Sequence, residues 1–312
     1  MFDLWSANEP FIISALVIGL GYGLKRSGLL RAADGEVLTR VAFNITLPAI
    51  VLLEVPKATL SGANALLPLF PPLASVVTVL IGFLVYRNQS RLDRGLSLSS
   101  SAGYNIGLFA IPLVSGLYGP AGVARFALAD IGNVFTIFTL SYFLSYRYSP
   151  HRGDARLGLW RILKLIFGNV PFLAYLSGLA MILLHVQITG FAARVLSVPA
   201  AMNRGIGLLV LGTLLRFRFP PGTWKAILPP LVVRYAFGLV AAALVIFFAP
   251  LSQDLRVTLA GVFVMPAGLT LIAFSLKWGY DRDRAAAIVN AGIPLSFVFF
   301  WAVWAAGEFV AS

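Results

Sequence analysis

Residues 101–114 read SAGYNIGLFAIPLV, and this stretch decides how the rest of the chain is interpreted. The segment is apolar enough to lie in a membrane, where no water is present to satisfy the backbone. It nevertheless contains Asn105, Gly107 and Pro112, which a helix surrounded by lipid has no reason to keep. We predict that this segment is an interrupted helix whose freed polar groups contribute to a binding site.

A second stretch, residues 259–269, repeats this pattern about half a chain later. It reads LAGVFVMPAGL and carries Pro266 in the place of Pro112. A proline within a helix removes a backbone donor and displaces a carbonyl group, so these groups need a substrate, an ion, water or a neighbouring side chain as partner. A simple kink is the alternative for either proline by itself. The pair predicts two interrupted helices that meet inside the membrane and form a transport site.

The composition is that of an integral membrane protein. Of the 312 residues, 59% are hydrophobic and 12% are charged, and the mean hydropathy is +0.88. Soluble domains average about 25% charged residues, so we predict an all-α integral membrane protein without a separate soluble domain. The net charge of +12 does not indicate a nucleic-acid partner, because the basic residues lie in short loops rather than on one polar face.

Apolar segments long enough to cross the lipid bilayer recur along the whole chain. We predict ten transmembrane helices, at residues 8–24, 37–54, 64–86, 96–115, 120–146, 169–187, 203–217, 226–249, 255–276 and 284–307. A basic segment at 147–168 separates helices five and six and contains LGLWRILKLIF, which is typical of an interfacial amphipathic helix. The predicted organisation is a five-helix block at 1–146, a cytoplasmic linker at 147–168 and a second five-helix block at 169–312.

The distribution of Lys and Arg predicts the orientation in the membrane. With the N-terminus outside, 18 basic residues lie on the cytoplasmic side, five lie on the outer side and Arg234 remains within a span. Basic residues are enriched in cytoplasmic loops. We therefore expect a multi-pass protein of the plasma membrane with both termini outside.

The two blocks resemble each other in sequence. Four short features recur in the same order at separations of 154 to 161 residues. They are ANEPF at 7–11 and GNVPF at 168–172, FPPL at 70–73 and LPPL at 228–231, Pro112 and Pro266, and ADIG at 129–132 and VNAG at 289–292. Because each block has an odd number of spans, the second copy is inverted, which is how many secondary transporters are built.

Asp130 is the only acidic residue deep within a predicted span. Burial in a medium of low dielectric favours the neutral carboxylic acid, so this residue could bind and release a proton during transport. A permanent ion pair or hydrogen-bond network is the alternative. Its counterpart Asn290 can form hydrogen bonds but cannot titrate, so we expect any proton coupling to reside in the first block alone.

Arg234 lies nearly as deep, in span eight. Three roles stay open for it, namely attracting an anion, neutralising Asp130, or extending its side chain to the cytoplasmic surface. Asn44 in span two and Asn133 in span five could line the same cavity, as could Asn290. Helix packing is the alternative for each of these asparagines.

Neither a metal centre nor a catalytic centre is indicated. The chain has no cysteine, His151 and His185 lie near different span ends, and the spans contain no carboxylate cluster. Gly19, Gly21 and Gly23 look like a dinucleotide motif but lack a preceding strand, so close helix packing explains them better. We expect no cofactor and no enzymatic activity.

Several motifs resemble those of the auxin efflux carrier family. They are NITLPAIV from Asn44, YNIGLFAIPL from Tyr104, ALADIGN from Ala127, MPAG from Met265 and the closing LS of span ten. The resemblance covers essentially the whole chain, and the short central loop is similar to that of the bacterial members. It implies ten spans in two inverted repeats, helices four and nine crossing at Pro112 and Pro266, a scaffold with a moving transport bundle, and a homodimer.

The substrates that this resemblance implies are small organic anions, namely dicarboxylates such as malate or malonate in bacteria and auxin in plants. The expected substrate contacts are Asn105, Gly107, Pro112 and Pro266, and Asp130 is the candidate for proton coupling. Two other classes stay open. One is a sodium-coupled organic-anion symporter that binds its cation at the unwound segments, and the more distant one is a membrane receptor that does not transport.

Overall fold

The computed structural model describes residues 4–58, 60, 62–151, 158–217, 219 and 221–311. All regular structure in that part of the chain is helical, and it contains no strand. This agrees with the predicted all-α class. Residues 152–157 of the predicted linker lie outside the described residues.

Fifteen α-helices are present in the described residues, several of them joined end to end by short π-helical or 3-10 turns. They are α1 (Leu4–Arg26), α2 (Ala32–Val41), α3 (Leu47–Glu54), α4 (Phe70–Val85), α5 (Arg91–Ser101), α6 (Ile111–Leu117), α7 (Gly119–Thr136), α8 (Tyr142–Tyr148), α9 (Leu159–Phe167), α10 (Val170–Leu183), α11 (Gly190–Leu214), α12 (Thr223–Phe248), α13 (Gln253–Phe263), α14 (Thr270–Trp278) and α15 (Arg282–Ala311).

Six helical stretches within the described residues are long and apolar enough to cross a membrane. They are Ala33–Lys57, Gly62–Asn88, Gly119–Tyr148, Gly190–Leu214, Thr223–Phe248 and Arg282–Val310. Two shorter apolar helices, Ile106–Leu117 and Val170–Leu183, overlap the fourth and sixth predicted spans. The count of ten spans in inverted repeats stays a prediction.

The seventh predicted span begins too late. We expected it at 203–217, whereas α11 covers Gly190–Leu214. Arg194 and Arg204, two of the five basic residues that we counted on the outer side, lie within this helix. Charged residues interrupt an apolar pattern without ending a helix, so hydropathy alone placed the helix start wrongly.

The predicted amphipathic helix is present as α9. Trp160, Lys164 and Phe167 are exposed on it, while Ile166 is buried. A helix that exposes large apolar side chains beside a lysine suits the boundary between headgroups and acyl chains. Its location at that boundary stays a prediction.

The described chain divides into two compact units, and each takes segments from both sequence blocks. The first unit comprises residues 1–61, 106–128 and 169–215. The second unit comprises residues 62–105, 129–168 and 216–312. The division into repeats at 1–146 and 169–312 concerns sequence symmetry rather than packing, so it stays a prediction.

In the first unit, α1 and α11 are in backbone contact. A Cβ atom on Gly21 would overlap the carbonyl oxygen of Leu209, and one on Gly212 would overlap the backbone of α1. Gly19 and Gly23 have nothing within 4 Å of the Cβ position. The prediction that these glycines serve close helix packing is therefore correct for Gly21 alone.

In the second unit, α12 packs against α4, α5, α13 and α15. A Cβ atom on Gly238 would overlap the carbonyl oxygen of Phe263, so α12 and α13 also touch through their backbones. A buried apolar cluster surrounds the C-terminal end of α5 and consists of Val79, Tyr86, Leu98, Ala102, Leu144 and Val233. This cluster fixes the end of α5, where the candidate site begins.

Candidate functional site

Two helix interruptions are in direct contact within the second unit. Residues 102–105 separate α5 from the next helical turn, and residues 264–269 separate α13 from α14. The amide nitrogen of Asn105 donates a hydrogen bond to the carbonyl oxygen of Pro266 at 2.9 Å. One interruption comes from each of the two stretches with which the sequence analysis began.

The interruptions have different local causes. Gly103 has a φ of 82°, which favours glycine, and a Cβ atom there would lie 2.5 Å from Ile137 Cγ1. Its amide nitrogen donates to Ser75 Oγ at 3.1 Å instead of to a helical carbonyl. In the other interruption, Pro266 has no amide hydrogen and cannot continue the α13 ladder.

Pro112 lies outside residues 102–105, the segment that separates α5 from the next helical turn, and its role as a substrate contact stays a prediction. It is the second residue of α6, which continues without a break from the π-helical turn Ile106–Ala110 as one apolar helix, Ile106–Leu117. A Cβ atom on Gly207 of α11 would overlap its ring, so Pro112 serves packing within the first unit. Gly107 is buried in the π-helical turn Ile106–Ala110 that precedes α6.

Arg234, which lies on α12, forms hydrogen bonds with both interrupted segments. Its side chain is buried, and Nη1 donates to the carbonyl oxygen of Met265 at 3.1 Å. Nη2 donates to the carbonyl oxygens of Ser100 at 2.5 Å and of Gly103 at 2.7 Å. The guanidinium also lies over the Tyr104 ring, with Cζ 4.9 Å from the ring centroid. One side chain therefore joins the end of α5 and both unwound segments.

These contacts bear on two of the three roles that stayed open for Arg234. The side chain is only 3% exposed, so it does not extend to the cytoplasmic surface. Its three hydrogen bonds go to backbone carbonyls and none of them to Asp130. The sequence missed this role because backbone carbonyl partners leave no residue-type signal.

Asn133 holds the other side of the first interruption. Its Oδ1 accepts from the amide nitrogen of Tyr104 at 2.7 Å, and its Nδ2 donates to the carbonyl oxygen of Tyr104 at 2.7 Å. Nδ2 also donates to Asp130 Oδ1 at 2.7 Å. Both amide hydrogens are thus in use, and Asn133 positions the Tyr104 peptide and the Asp130 carboxyl group together.

Among the predicted site residues, two buried amide atoms have no hydrogen-bond partner in the described part of the chain. They are Asn105 Nδ2, a donor, and Asn290 Oδ1, an acceptor. Asn290 Nδ2 donates to Ala286 O at 3.0 Å, which leaves its Oδ1 as the free atom. Two residues further along α15, a Cβ atom on Gly292 would lie 3.1 Å from Pro266 Cβ. Buried polar atoms without partners are costly in a membrane and are natural contacts for a ligand.

Asn44 is not among the residues that the structure brings together at these interruptions. It belongs to the first unit, is exposed, and donates to Arg40 O of its own helical turn at 2.9 Å. The buried polar residue of that segment is Thr46, whose Oγ1 accepts from Asn203 Nδ2 at 3.1 Å. A sequence cannot show which face of a short helical turn is covered.

Sequence comparisons show which known proteins this chain is similar to. Residues 8–155 match the sequence model of a family described as "Membrane transport protein". The chain is 29% identical over 222 residues to an uncharacterized transporter of Methanothermobacter thermautotrophicus, covering 69% of this chain and 70% of the relative. It is 23% identical over 242 residues to an uncharacterized transporter of Methanocaldococcus jannaschii, covering 69% of this chain and 77% of the relative. Over residues 8–155 the chain is similar to this family of membrane transport proteins, and both relatives carry the name of a transporter.

This similarity and the six apolar helical stretches of the described residues support a multi-pass membrane protein. The relatives are transporters by name, and no catalytic activity is indicated. Among the described residues, no group of three His, Asp or Glu side chains could hold a metal ion.

The sequence analysis also missed Tyr235, which positions α15 against the second interruption. Its hydroxyl group donates to the carbonyl oxygen of Gly292 at 2.8 Å and lies 2.7 Å from Ser296 Oγ. Ser296 is part of the LS motif that ends the family resemblance. The only sign of this role in the sequence is that a tyrosine directly follows an arginine in an apolar segment.

Proposed function

We propose that this chain is a secondary active transporter of a small organic anion, working by alternating access in the plasma membrane. The observation that carries the proposal is the contact of two unwound segments at Asn105 and Pro266, where the buried Nδ2 atom of Asn105 has no hydrogen-bond partner. Discontinuous helices of this kind form the substrate sites of many secondary transporters. Ten spans in two inverted repeats, both termini outside and a homodimeric assembly belong to the same proposal.

The proposed substrate contacts follow from the free atoms. Asn105 Nδ2 would donate to a carboxylate oxygen, and Asn290 Oδ1 would accept from a donor of the substrate or from water. The substrate is accordingly a mono- or dicarboxylate. An interior-negative potential favours the exit of an anion by about 2.3 kcal/mol per charge per 100 mV, so efflux would need no coupling ion.

Asn105→Ala tests the binding role. A hydrogen bond to a charged group contributes about 1.5–3 kcal/mol, so we expect substrate affinity to fall about tenfold to hundredfold while the protein stays folded. The measurement is uptake of malonate, malate and indole-3-acetate into liposomes that contain purified protein. Asn44→Ala is the matched control, because that amide is exposed. Wild-type affinity in the Asn105 variant would remove this residue from the site.

Asp130→Asn tests proton coupling. The amide keeps the size of the side chain but cannot bind and release a proton, so we expect the pH dependence of flux to become flat. Initial rates at a series of pH values provide the measurement. Glu36→Gln, an exposed carboxyl group in α2, is the control and should keep the wild-type profile. An unchanged profile in Asp130→Asn would mean that this residue carries no coupled proton.

A sodium-coupled symporter is the competing proposal, and one observation weighs against it. Free cations in such transporters bind to carbonyl groups of unwound segments and of half-helix C-terminal ends. Here the carbonyls of Ser100, Gly103 and Met265 already accept hydrogen bonds from Arg234. Varying sodium and pH gradients separately in the same liposomes distinguishes the two proposals, and ligand binding without flux would indicate a receptor.

A further inference from the structure

We infer that the Arg234 guanidinium is a tethered cation that occupies the position at which ion-coupled transporters with broken helices bind a free cation. Three features of the site support this inference. They are the type of carbonyl group that accepts the hydrogen bonds, the burial of the guanidinium charge, and the fixed position of Tyr104, whose ring lies against the guanidinium. Its consequence for transport rests on the proposed function, whereas the cation site itself does not.

The acceptors are of the type that holds a free cation. Ser100 O belongs to the last turn of α5, and the helix dipole makes this end partially negative. Gly103 O and Met265 O belong to the two unwound segments, where no helical amide competes for them. Carbonyls at half-helix ends and in unwound segments are the groups that coordinate sodium in other transporters.

The guanidinium cannot leave the site without breaking the hydrogen bonds that join α5 to the two unwound segments. Arg234 is 3% exposed and its side chain is anchored on α12, so the guanidinium does not exchange with solvent as an ion does. The Tyr104 ring lies against it, and Asn133 fixes the Tyr104 backbone at both its nitrogen and its oxygen. An arginine remains charged at all physiological pH values, so this cation is present throughout.

Two consequences follow. A site that already contains a permanent cation has neither room nor negative potential for sodium, so transport does not depend on a sodium gradient. Removal of the side chain should conversely leave three carbonyl groups around a vacant space, which a small planar cation with several donors could fill.

Chemical rescue of Arg234→Ala tests the inference. The protein is purified in detergent, and its Tm is measured with millimolar methylguanidinium, sodium or choline chloride. We expect the Tm of the variant to fall by about 5–10 °C, and methylguanidinium to restore a substantial part of that loss with a saturating concentration dependence, because a ligand of the folded state stabilises it. Choline has no N–H group and only one hydroxyl donor, so it cannot replace the guanidinium and should restore nothing.

Arg256→Ala is the matched control, since Arg256 donates to a single carbonyl oxygen, that of Ile246. Its Tm should not respond to methylguanidinium. Should Arg234→Ala fail to fold, Arg234→Lys and Arg234→Met replace it, and the lysine variant must then have the higher Tm, because it keeps a tethered cation. An equal response of Arg234→Ala and wild type, a methionine variant as stable as the lysine variant, or a wild-type Tm that rises with sodium would each overturn the inference.

The transport experiment is independent of the Tm measurements. Wild-type flux in liposomes should be the same in sodium and in choline. If no carboxylate is transported under either condition, the proposed function fails while the Tm series still decides whether Arg234 is a tethered cation. If flux requires sodium, the tethered-cation inference fails and the transporter proposal stands.

Discussion

Gly132→Ala is expected to be among the most destabilising single-methyl additions in this chain. A Cβ atom at Gly132 of α7 would overlap the carbonyl oxygen of Pro68, and Pro72 Cδ lies 3.2 Å from the same position. A backbone carbonyl cannot rotate away as a flexible side chain can, so the segment before α4 would have to shift. Overpacking costs about 1–3 kcal/mol and occasionally more, and we expect at least about 3 kcal/mol here.

Two further glycines provide graded controls for this substitution. Gly292 is the counterpart of Gly132 in the second block, and a Cβ atom there would lie 3.1 Å from Pro266 Cβ and 3.2 Å from the Tyr235 hydroxyl oxygen. Gly205 in α11 has nothing within 4 Å. Alanine is a better helix former than glycine by about 1 kcal/mol, so Gly205→Ala should raise the Tm, Gly292→Ala should lower it slightly, and Gly132→Ala should lower it most. Thermal aggregation in detergent measures the order, and any other order contradicts the packing described.

Asn133→Leu is expected to have the second large effect. The substitution leaves the Tyr104 nitrogen and oxygen without partners and takes a donor from Asp130. Each buried polar group that loses its partner costs about 1–3 kcal/mol, so the stability should fall by at least about 3 kcal/mol. Because the same residues hold the first interruption in place, any anion binding should be lost as well.

The measurements for Asn133→Leu are the Tm in detergent and the protection of amides 102–105 from hydrogen exchange. Asn44→Leu is the control, because Asn44 is exposed and bonds only to Arg40 O in its own helical turn. Exposed substitutions usually change stability by less than about 0.5 kcal/mol. A wild-type Tm for Asn133→Leu would mean that the Tyr104 peptide does not depend on this amide.

Two residues show how far sequence reasoning reached in the interrupted segments. Pro266 does lie in the second interruption, as a proline in an apolar segment predicts. Pro112 lies instead within the apolar helix Ile106–Leu117, directly after its π-helical turn, while Gly103 lies in the first interruption. The effect of a proline depends on where the neighbouring helix begins, and that boundary is set by tertiary packing.

The candidate site shows the same limit. The depth of Asp130 and Arg234 within apolar segments marked both residues as unusual, because a charge in such a segment needs a partner. The partners themselves were not predictable, since Arg234 uses backbone carbonyls and Asp130 uses Asn133 of its own helix. Asn44 satisfied the same sequence criteria and is exposed.

The sequence by itself determined that this is an all-helical membrane protein with two interrupted segments. The length of the apolar segments, the positions of the charged residues and the positions of the prolines are local properties, and the lipid bilayer restricts directly which structures they allow. Only the tertiary structure decided that the interruptions touch at Asn105 and Pro266 and that a single arginine joins them. These contacts join positions that are far apart in the chain, and they use backbone atoms that every residue has. The residue types in the sequence therefore do not predict them.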